Sequence, residues 1–287
     1  MSDQKSPWER PIFVASLARS GSTLLQRVIN VHPGITIWGE HGGMLKGITD
    51  AVRGSTQEFV VKNLKSGVRV SEGVIGELSD KETFSPWVSP FEAHEISDAL
   101  RATMLDLFTR KLPKDVRWGF KEIRYGALEL RTMMELFPEA HLVILARGIE
   151  QQVSSRVFAW GAKDLDLDTD EGRTSAQDMI AGMTRHWVAR YWSLHALAEE
   201  MPDRTSLVAY SDLVQGSDRI PKLFEELGES APPDEAIGEV LGARSGSSYS
   251  KASKSNEHSE LVAEMIAAAD YNRPRYETLA AAYGLSG

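Results

Sequence analysis

The chain has 287 residues, enough for about two domains of roughly 150 residues or one large α/β domain, and its 42% apolar and 25% charged residues exclude disordered, collagen-like and coiled-coil chains. A formal net charge of −9 excludes nucleic acid as the main partner, because affinity for a polyanion rests on clustered Lys and Arg. With no cysteine, disulfides, thiolate nucleophiles and Cys-based metal sites are excluded as well.

Residues 1–10 form a polar tail, and 11–17 are a short apolar, β-branched run that reads as a buried strand. A small-residue turn follows. From Thr23 to Val31 apolar residues recur at helical spacing until His32-Pro33-Gly34 stops them. Residues 35–38 read as a second strand, closed by Gly39-Glu40-His41-Gly42-Gly43. Residues 44–110 are mostly helical in pattern, an insertion with a loop near 84–87 and its best helix over 93–109. Residues 116–123 predict a strand, 126–136 a helix, and 140–146 a strand buried on both faces. A helix is expected over 150–160, then an acidic loop over 163–173, then a long helix ending near Glu200. Residues 205–210 predict a strand, 212–227 a helix, 242–256 a Ser/Lys loop, and 257–283 a final helix.

Strands alternating with helices argue for an α/β fold with three layers: a central, mostly parallel sheet flanked by helices. The whole chain, 1–287, is expected to form one domain. Ligands of such sheets bind beyond the carboxyl ends of the strands. The turn after the first strand, Ala18-Arg19-Ser20-Gly21-Ser22-Thr23-Leu24, lies at such an end and opens a helix. Backbone N–H groups and the helix dipole make an anion site there; Gly21 permits close approach, Ser22 and Thr23 add hydroxyls, and Arg19 adds a charge. A nucleoside-triphosphate loop would place Lys where Ser22 stands. A smaller anion held without a metal fits better, and the seven His show no ligand spacing.

The segment A-R-S-G-S-T-L-L closely resembles the P-R-S-G-[ST]-T-L-L loop of sulfotransferases that use 3′-phosphoadenosine 5′-phosphosulfate (PAPS). The resemblance implies a P-loop-like sulfotransferase fold, with Arg19, Ser20, Gly21, Ser22, Thr23 and Leu24 around the 5′-phosphosulfate. It also demands a second anion site for the 3′-phosphate. Arg147 ends the most hydrophobic strand, and Ser155 follows it at the family spacing, although the family's frequent Asp after the Arg is replaced by Gly148. L-V-A-Y-S-D-L-V resembles a further family strand end and implicates Tyr210 at the nucleotide. Arg244, Ser245, Lys251 and Lys254 occupy the place where relatives fold a donor-covering segment.

Lys121, in W-G-F-K-E-I, matches the lysine that tyrosylprotein-type relatives place at the reacting centre. Glu40 matches a glutamate that takes the acceptor proton in tyrosylprotein and bacterial relatives, and His41 beside it rivals it as base because imidazole titrates near neutrality. The likeness is nearer to the tyrosylprotein, carbohydrate and bacterial types than to the cytosolic phenol and steroid type, whose terminal R-K-G-x-x-G-D-W-K segment is not evident. The implied reaction moves a sulfuryl group from PAPS to a hydroxyl or amine of a small-molecule, saccharide or peptide acceptor, leaving 3′,5′-adenosine bisphosphate. The expected setting is cytoplasmic, without a membrane span, as monomer or homodimer. A P-loop kinase and a non-catalytic nucleotide-binding module are the competing readings.

Overall fold

The computed structural model describes residues 6–55, 93–161, 167–215, 218–243 and 256–285. Its centre is a five-stranded sheet in the order β2-β3-β1-β4-β5, comprising β1 (Ile12–Ser16), β2 (Ile35–Trp38), β3 (Arg117–Glu122), β4 (His141–Ala146) and β5 (Thr205–Ala209). Every pairing is parallel, so the expected mostly parallel sheet is parallel throughout. The reason lies in the residues. β1, β3 and β4 are buried along their whole length, as strands covered by helices on both faces must be.

Helices cover both faces. Helix α1 (Ser22–Ile29) lies on one side, where Leu25, Val28 and Ile29 meet Ile12, Val14 and Ile37 of the sheet. The other face is covered by α2 (Lys46–Ser55), α3 (Ala93–Thr109), α4 (Ala127–Leu136), α5 (Ile149–Arg156) and α6 (Asp170–Glu200), around Phe13, Trp118, Phe120, Leu142 and Ile144. Gly119 is required by this packing: a Cβ there would lie 2.0 Å from the Ile12 carbonyl oxygen.

Several boundaries differ from the sequence expectation. The helix expected over 150–160 is α5 followed by a π turn, Val157–Gly161. Of the acidic stretch expected as a loop over 163–173, residues 163–166 lie outside the described residues, and from Thr169, which accepts a hydrogen bond from Gly172 N (3.1 Å), the chain is helix α6, with Asp170 and Glu171 in the favourable first turn. The helix expected over 212–227 is two, α7 (Tyr210–Val214) and α8 (Arg219–Glu226). A helix not anticipated, α9 (Asp234–Gly242), follows Pro233 with two acidic residues in its first turn. The final helix is likewise two, α10 (Asn256–Ala268) and α11 (Arg273–Tyr283), because Asn272 caps a new start by accepting from Arg275 N and Pro274 sits in the first turn. The polar tail is also anchored: Trp8 donates to Pro113 O (3.3 Å) and accepts from Trp118 Nε1 (2.8 Å). The 84–87 loop, and Arg244, Ser245, Lys251 and Lys254, lie outside the described residues.

The order of strands sets the position of the site. From β1 the chain crosses to the edge strand β2, returns to β3, and then passes β1 to β4. Loops after β1, β3 and β4 therefore meet at a switch point, where an open parallel sheet leaves a crevice.

Candidate active site

The loop after β1 is shaped by two left-handed residues, Arg19 (φ 66°) and Gly21 (φ 96°). At Gly21 no side chain fits, since a Cβ would stand 2.3 Å from Cδ2 of Tyr210. The Tyr210 ring thus packs directly on the loop backbone. Ser20 is fully buried, and its hydroxyl has no hydrogen-bond partner among the described residues. Ser22 is buried at the start of α1, while Thr23 is exposed and Leu24 half-buried. Leu24 N closes that first turn on Gly21 O (2.8 Å), and the N–H groups of Ser22 and Thr23 before it have no acceptor within the helix.

Arg19 Nε donates to Ser155 Oγ (3.1 Å), and Arg147 Nη1 donates to the Arg19 carbonyl (3.3 Å). The Arg147 guanidinium lies 4.4 Å from the centre of the Tyr210 ring. Five residues that the sequence named separately are therefore linked in one run of contacts, Ser155 to Arg19 to Arg147 to Tyr210 to Gly21. Burial lowers the proton affinity of Arg147, and Arg19 lowers it further. Neither Arg19 nor Arg147 has a carboxylate within ion-pair distance among the described residues.

Residues that the sequence did not single out for the site hold this assembly rigid. Gln152, fully buried, donates to Ala18 O (2.8 Å) and accepts from Trp187 Nε1 (2.8 Å). Tyr191 donates to Leu145 O (2.9 Å) and accepts from Leu17 N (3.3 Å), so one phenol bridges the ends of β1 and β4. Gln152 sits on α5 and Tyr191 on the long helix α6, where an aromatic residue reads from the sequence only as core. Both are core, and both also fix the loops.

The second half of the site lies at the ends of β2 and β3. Lys121 is 3% exposed, and its ammonium donates to Glu40 Oε1 at 2.6 Å. The other oxygen of Glu40 accepts from Arg124 Nη1 (3.1 Å). Glu122 shapes the loop that carries Glu40. It accepts from Gly43 N (2.9 Å), His41 N (3.2 Å), Ile123 N (2.9 Å) and Arg124 (2.7 Å). Burial alone would raise its pKa, but these hydrogen bonds hold it below the ordinary carboxylate value.

His41 is placed differently from Glu40. Its Nε2 is 2.6 Å from the Tyr125 hydroxyl, which also accepts from Leu45 N (2.9 Å), and its ring is wedged edge-on against Phe120 and Phe108. Its Nδ1 is buried without a partner. Burial lowers its pKa, so the ring is neutral near pH 7. Beside the loop opens a cavity of about 350 Å³ lined by Trp38, Gly39, Glu40, His41, Leu107, Phe108 and Lys111. It is mostly apolar, with a carboxylate at one wall. Among the described residues no group of His, Asp and Glu is arranged to hold a metal ion.

A parallel α/β sheet whose switch point gathers a tight glycine loop, a Lys–Glu pair and arginines that have no carboxylate partner among the described residues is a site suited to anions. Comparison with known proteins gives the particular class. A profile of the sulfotransferase family matches residues 11–230, and the chain belongs to that family. The fold is shared by the sulfotransferase from Alicyclobacillus acidocaldarius, at 13% identity and a TM-score of 0.50, covering 97% of both chains. Similar too are the sulfotransferase domain of the Synechococcus PCC 7002 olefin synthase (19% identity, TM-score 0.49, 99% and 98% of the two chains) and that of the curacin biosynthetic pathway (15%, 0.49, 96% and 98%). No curated protein matches the chain. No helix among the described residues is long and apolar enough to cross a membrane.

Proposed function

We propose that the protein transfers a sulfuryl group from PAPS to a hydroxyl, or an amine, of an acceptor bound beside Glu40. The observation that carries this reading is the 2.6 Å contact between Lys121 on β3 and Glu40 after β2, beside a glycine loop at which Arg19 and Arg147 have no carboxylate partner among the described residues. The 5′-phosphosulfate fits the loop from Arg19 to Leu24, where the Ser20 hydroxyl has no partner among the described residues and the helix N-terminus turns the N–H groups of Ser22 and Thr23 outward. The 3′-phosphate fits Arg147 and Ser155, with Tyr210 beside the nucleotide.

In this reading the acceptor oxygen forms a bond to sulfur as the bond from sulfur to the bridging oxygen breaks. The acceptor proton passes to the Glu40 carboxylate, and the electron pair left on the bridging oxygen is stabilised by Lys121 and Arg19. The Lys121–Glu40 contact is a charge pair in the free enzyme. When the donor's oxygens draw Lys121 away, Oε1 of Glu40 is released to accept the acceptor proton, while Arg124 still holds Oε2 (3.1 Å) and keeps the carboxylate in place. His41 serves to position the loop, because Tyr125 and two aromatic rings hold it in place. A kinase reading gains nothing from the structure, since Ser22 stands where a triphosphate loop needs its lysine.

The domain, 1–287, would act as a cytoplasmic enzyme, a setting with which the lack of a spanning helix among the described residues is consistent. The test is calorimetric titration with 3′,5′-adenosine bisphosphate in chelator, followed by a labelled-donor assay over an acceptor panel. Binding without magnesium and label transfer to any acceptor are expected. No bisphosphate binding would sink the reading.

A further inference from the structure

Two more arginines lie at this end of the sheet, and the donor assigned above does not need them. Arg156 ends α5, directly after Ser155, whose hydroxyl accepts from Arg19 (3.1 Å). Four residues earlier, Gln152 reaches Ala18, so helical spacing puts Arg156 one turn beyond Gln152 on the same side of α5. Arg190 lies on α6, which packs against α5, and donates to the carbonyl of Tyr125, the residue whose phenol contacts His41. His186 is one turn earlier on α6, and its neighbour Trp187 donates to Arg147 O (3.2 Å). The group thus adjoins the donor loop on one side and the loop of Glu40 on the other.

Its charges are unmatched among the described residues. Arg156 has neither a hydrogen bond nor an ion pair among the described residues, and its Nε is buried without a partner. Arg190 Nε is buried and unpartnered too. The carboxylate that acts on Arg190, Glu129, is engaged by Gly126 N (2.7 Å) and Lys46 (3.4 Å) and lies beyond pairing distance. Burial lowers the pKa of both arginines, and both together disfavour a proton on His186, which burial already keeps neutral. Half-buried cations without a counter-ion are costly, and guanidinium forks match carboxylate and phosphate oxygens.

We propose that Arg156, His186 and Arg190 form a second anion subsite, which holds a carboxylate or phosphate carried by the sulfuryl acceptor. The enzyme therefore prefers anionic hydroxy compounds to neutral ones. This rests on the donor assignment above only in giving Arg19 and Arg147 to PAPS.

The test uses the full chain saturated with 3′,5′-adenosine bisphosphate and three probes: benzoate, phenyl phosphate and neutral benzyl alcohol. Calorimetry should show both anions, or the one whose geometry the subsite matches, binding at least about tenfold tighter than the alcohol, with the His186 ring resonances moving on binding. The benzoate to phenyl phosphate ratio then tells which anion the acceptor carries. Arg156→Met and Arg190→Met should each remove the preference without weakening bisphosphate binding, and Arg156→Met should leave the melting temperature unchanged or raised, because it deletes an unpaired charge. Equal affinity for anionic and neutral probes overturns the proposal, as does loss of bisphosphate affinity in Arg156→Met or a variant that fails to fold. If the bisphosphate itself does not bind, the donor assignment fails and the probe ratio on the free protein still decides this one.

Discussion

The two ends of the sheet use arginine in opposite ways. At the amino ends of the strands, Arg117 donates to the carbonyls of Arg10 and Leu227 and pairs with Glu229 (3.4 Å), while Arg219 pairs with Glu226 (2.8 Å). His141 contacts Ser206 Oγ (2.8 Å), whose hydroxyl donates to Glu226. At the carboxyl ends, Arg19, Arg147, Arg156 and Arg190 have no carboxylate within pairing distance among the described residues. The same side chain stabilises the fold where its charge is answered and reserves binding energy where it is not. A cation's partner, more than its burial, tells which role it has: Arg117 and Arg147 are both desolvated enough to lower their pKa, Arg117 to about 10.

The largest effect should come from the one carboxylate that faces the carboxyl-end site with two cations on it. Glu40→Gln should cut turnover by about 10²- to 10⁴-fold, the usual share of a general base, with bisphosphate affinity unchanged by calorimetry. His41→Phe keeps the aromatic contacts and should leave most of the turnover. If the two variants exchange these results, the base has been misassigned.

The amino end should break through stability instead. Arg117→Met leaves Glu229 and two carbonyls without their donor, and should lower unfolding free energy by about 3 to 5 kcal/mol, measured by denaturant melts. Bisphosphate affinity per folded molecule should not change. An Arg117 variant as stable as the parent would dissolve the contrast between the two ends.

His141 extends that contrast to pH. Burial first and the nearby Arg117 second lower its pKa to about 4, whereas the unfolded chain titrates near the ordinary imidazole value. Between those values the unfolded state binds more protons, so stability rises with pH across the window and is lost as pH falls from about 6.5 towards 4. The loss from this one group is on the order of 3 kcal/mol. His141→Asn should flatten this part of the stability-against-pH curve; an unchanged slope would show that another group carries it.

The sheet was legible in the sequence because a strand buried on both faces is a continuous apolar run, as 141–146 shows, and because the turns between strands are marked by Gly, Pro and small polar residues. Arg19, Arg147, Ser155 and Tyr210 were legible as letters at family spacing, and the structure brings them into contact. What could not be read is whatever depends on a distant partner. Nothing local says that Glu122 will organise the turn from His41 to Gly43, or that Tyr125 will occupy His41. Arg156 and Arg190 look like ordinary helix-surface residues until, among the described residues, no carboxylate is found to pair with either. The ends of α7 at Val214 and of α10 at Ala268 were hidden because apolar residues go on recurring beyond them, while the capping by Asn272 needs its side chain placed.

The smallest effect is the sharpest measure of the difference between the ends. Arg147→Met deletes a half-buried charge that has only the Arg19 carbonyl, Gln151 and the face of Tyr210 for company. Its folded state loses little, because the desolvation cost of the guanidinium disappears with its hydrogen bonds; the change in stability should stay within about 0.5 kcal/mol, by the same melts used for Arg117. Bisphosphate affinity should nevertheless fall by about tenfold to a hundredfold, the weight of charge-assisted hydrogen bonds to a phosphate. Two Arg→Met changes in one sheet would then give mirror-image outcomes, stability without binding for Arg117 and binding without stability for Arg147. A Arg147 variant that melts as early as the Arg117 variant would mean that the carboxyl-end arginines are structural after all.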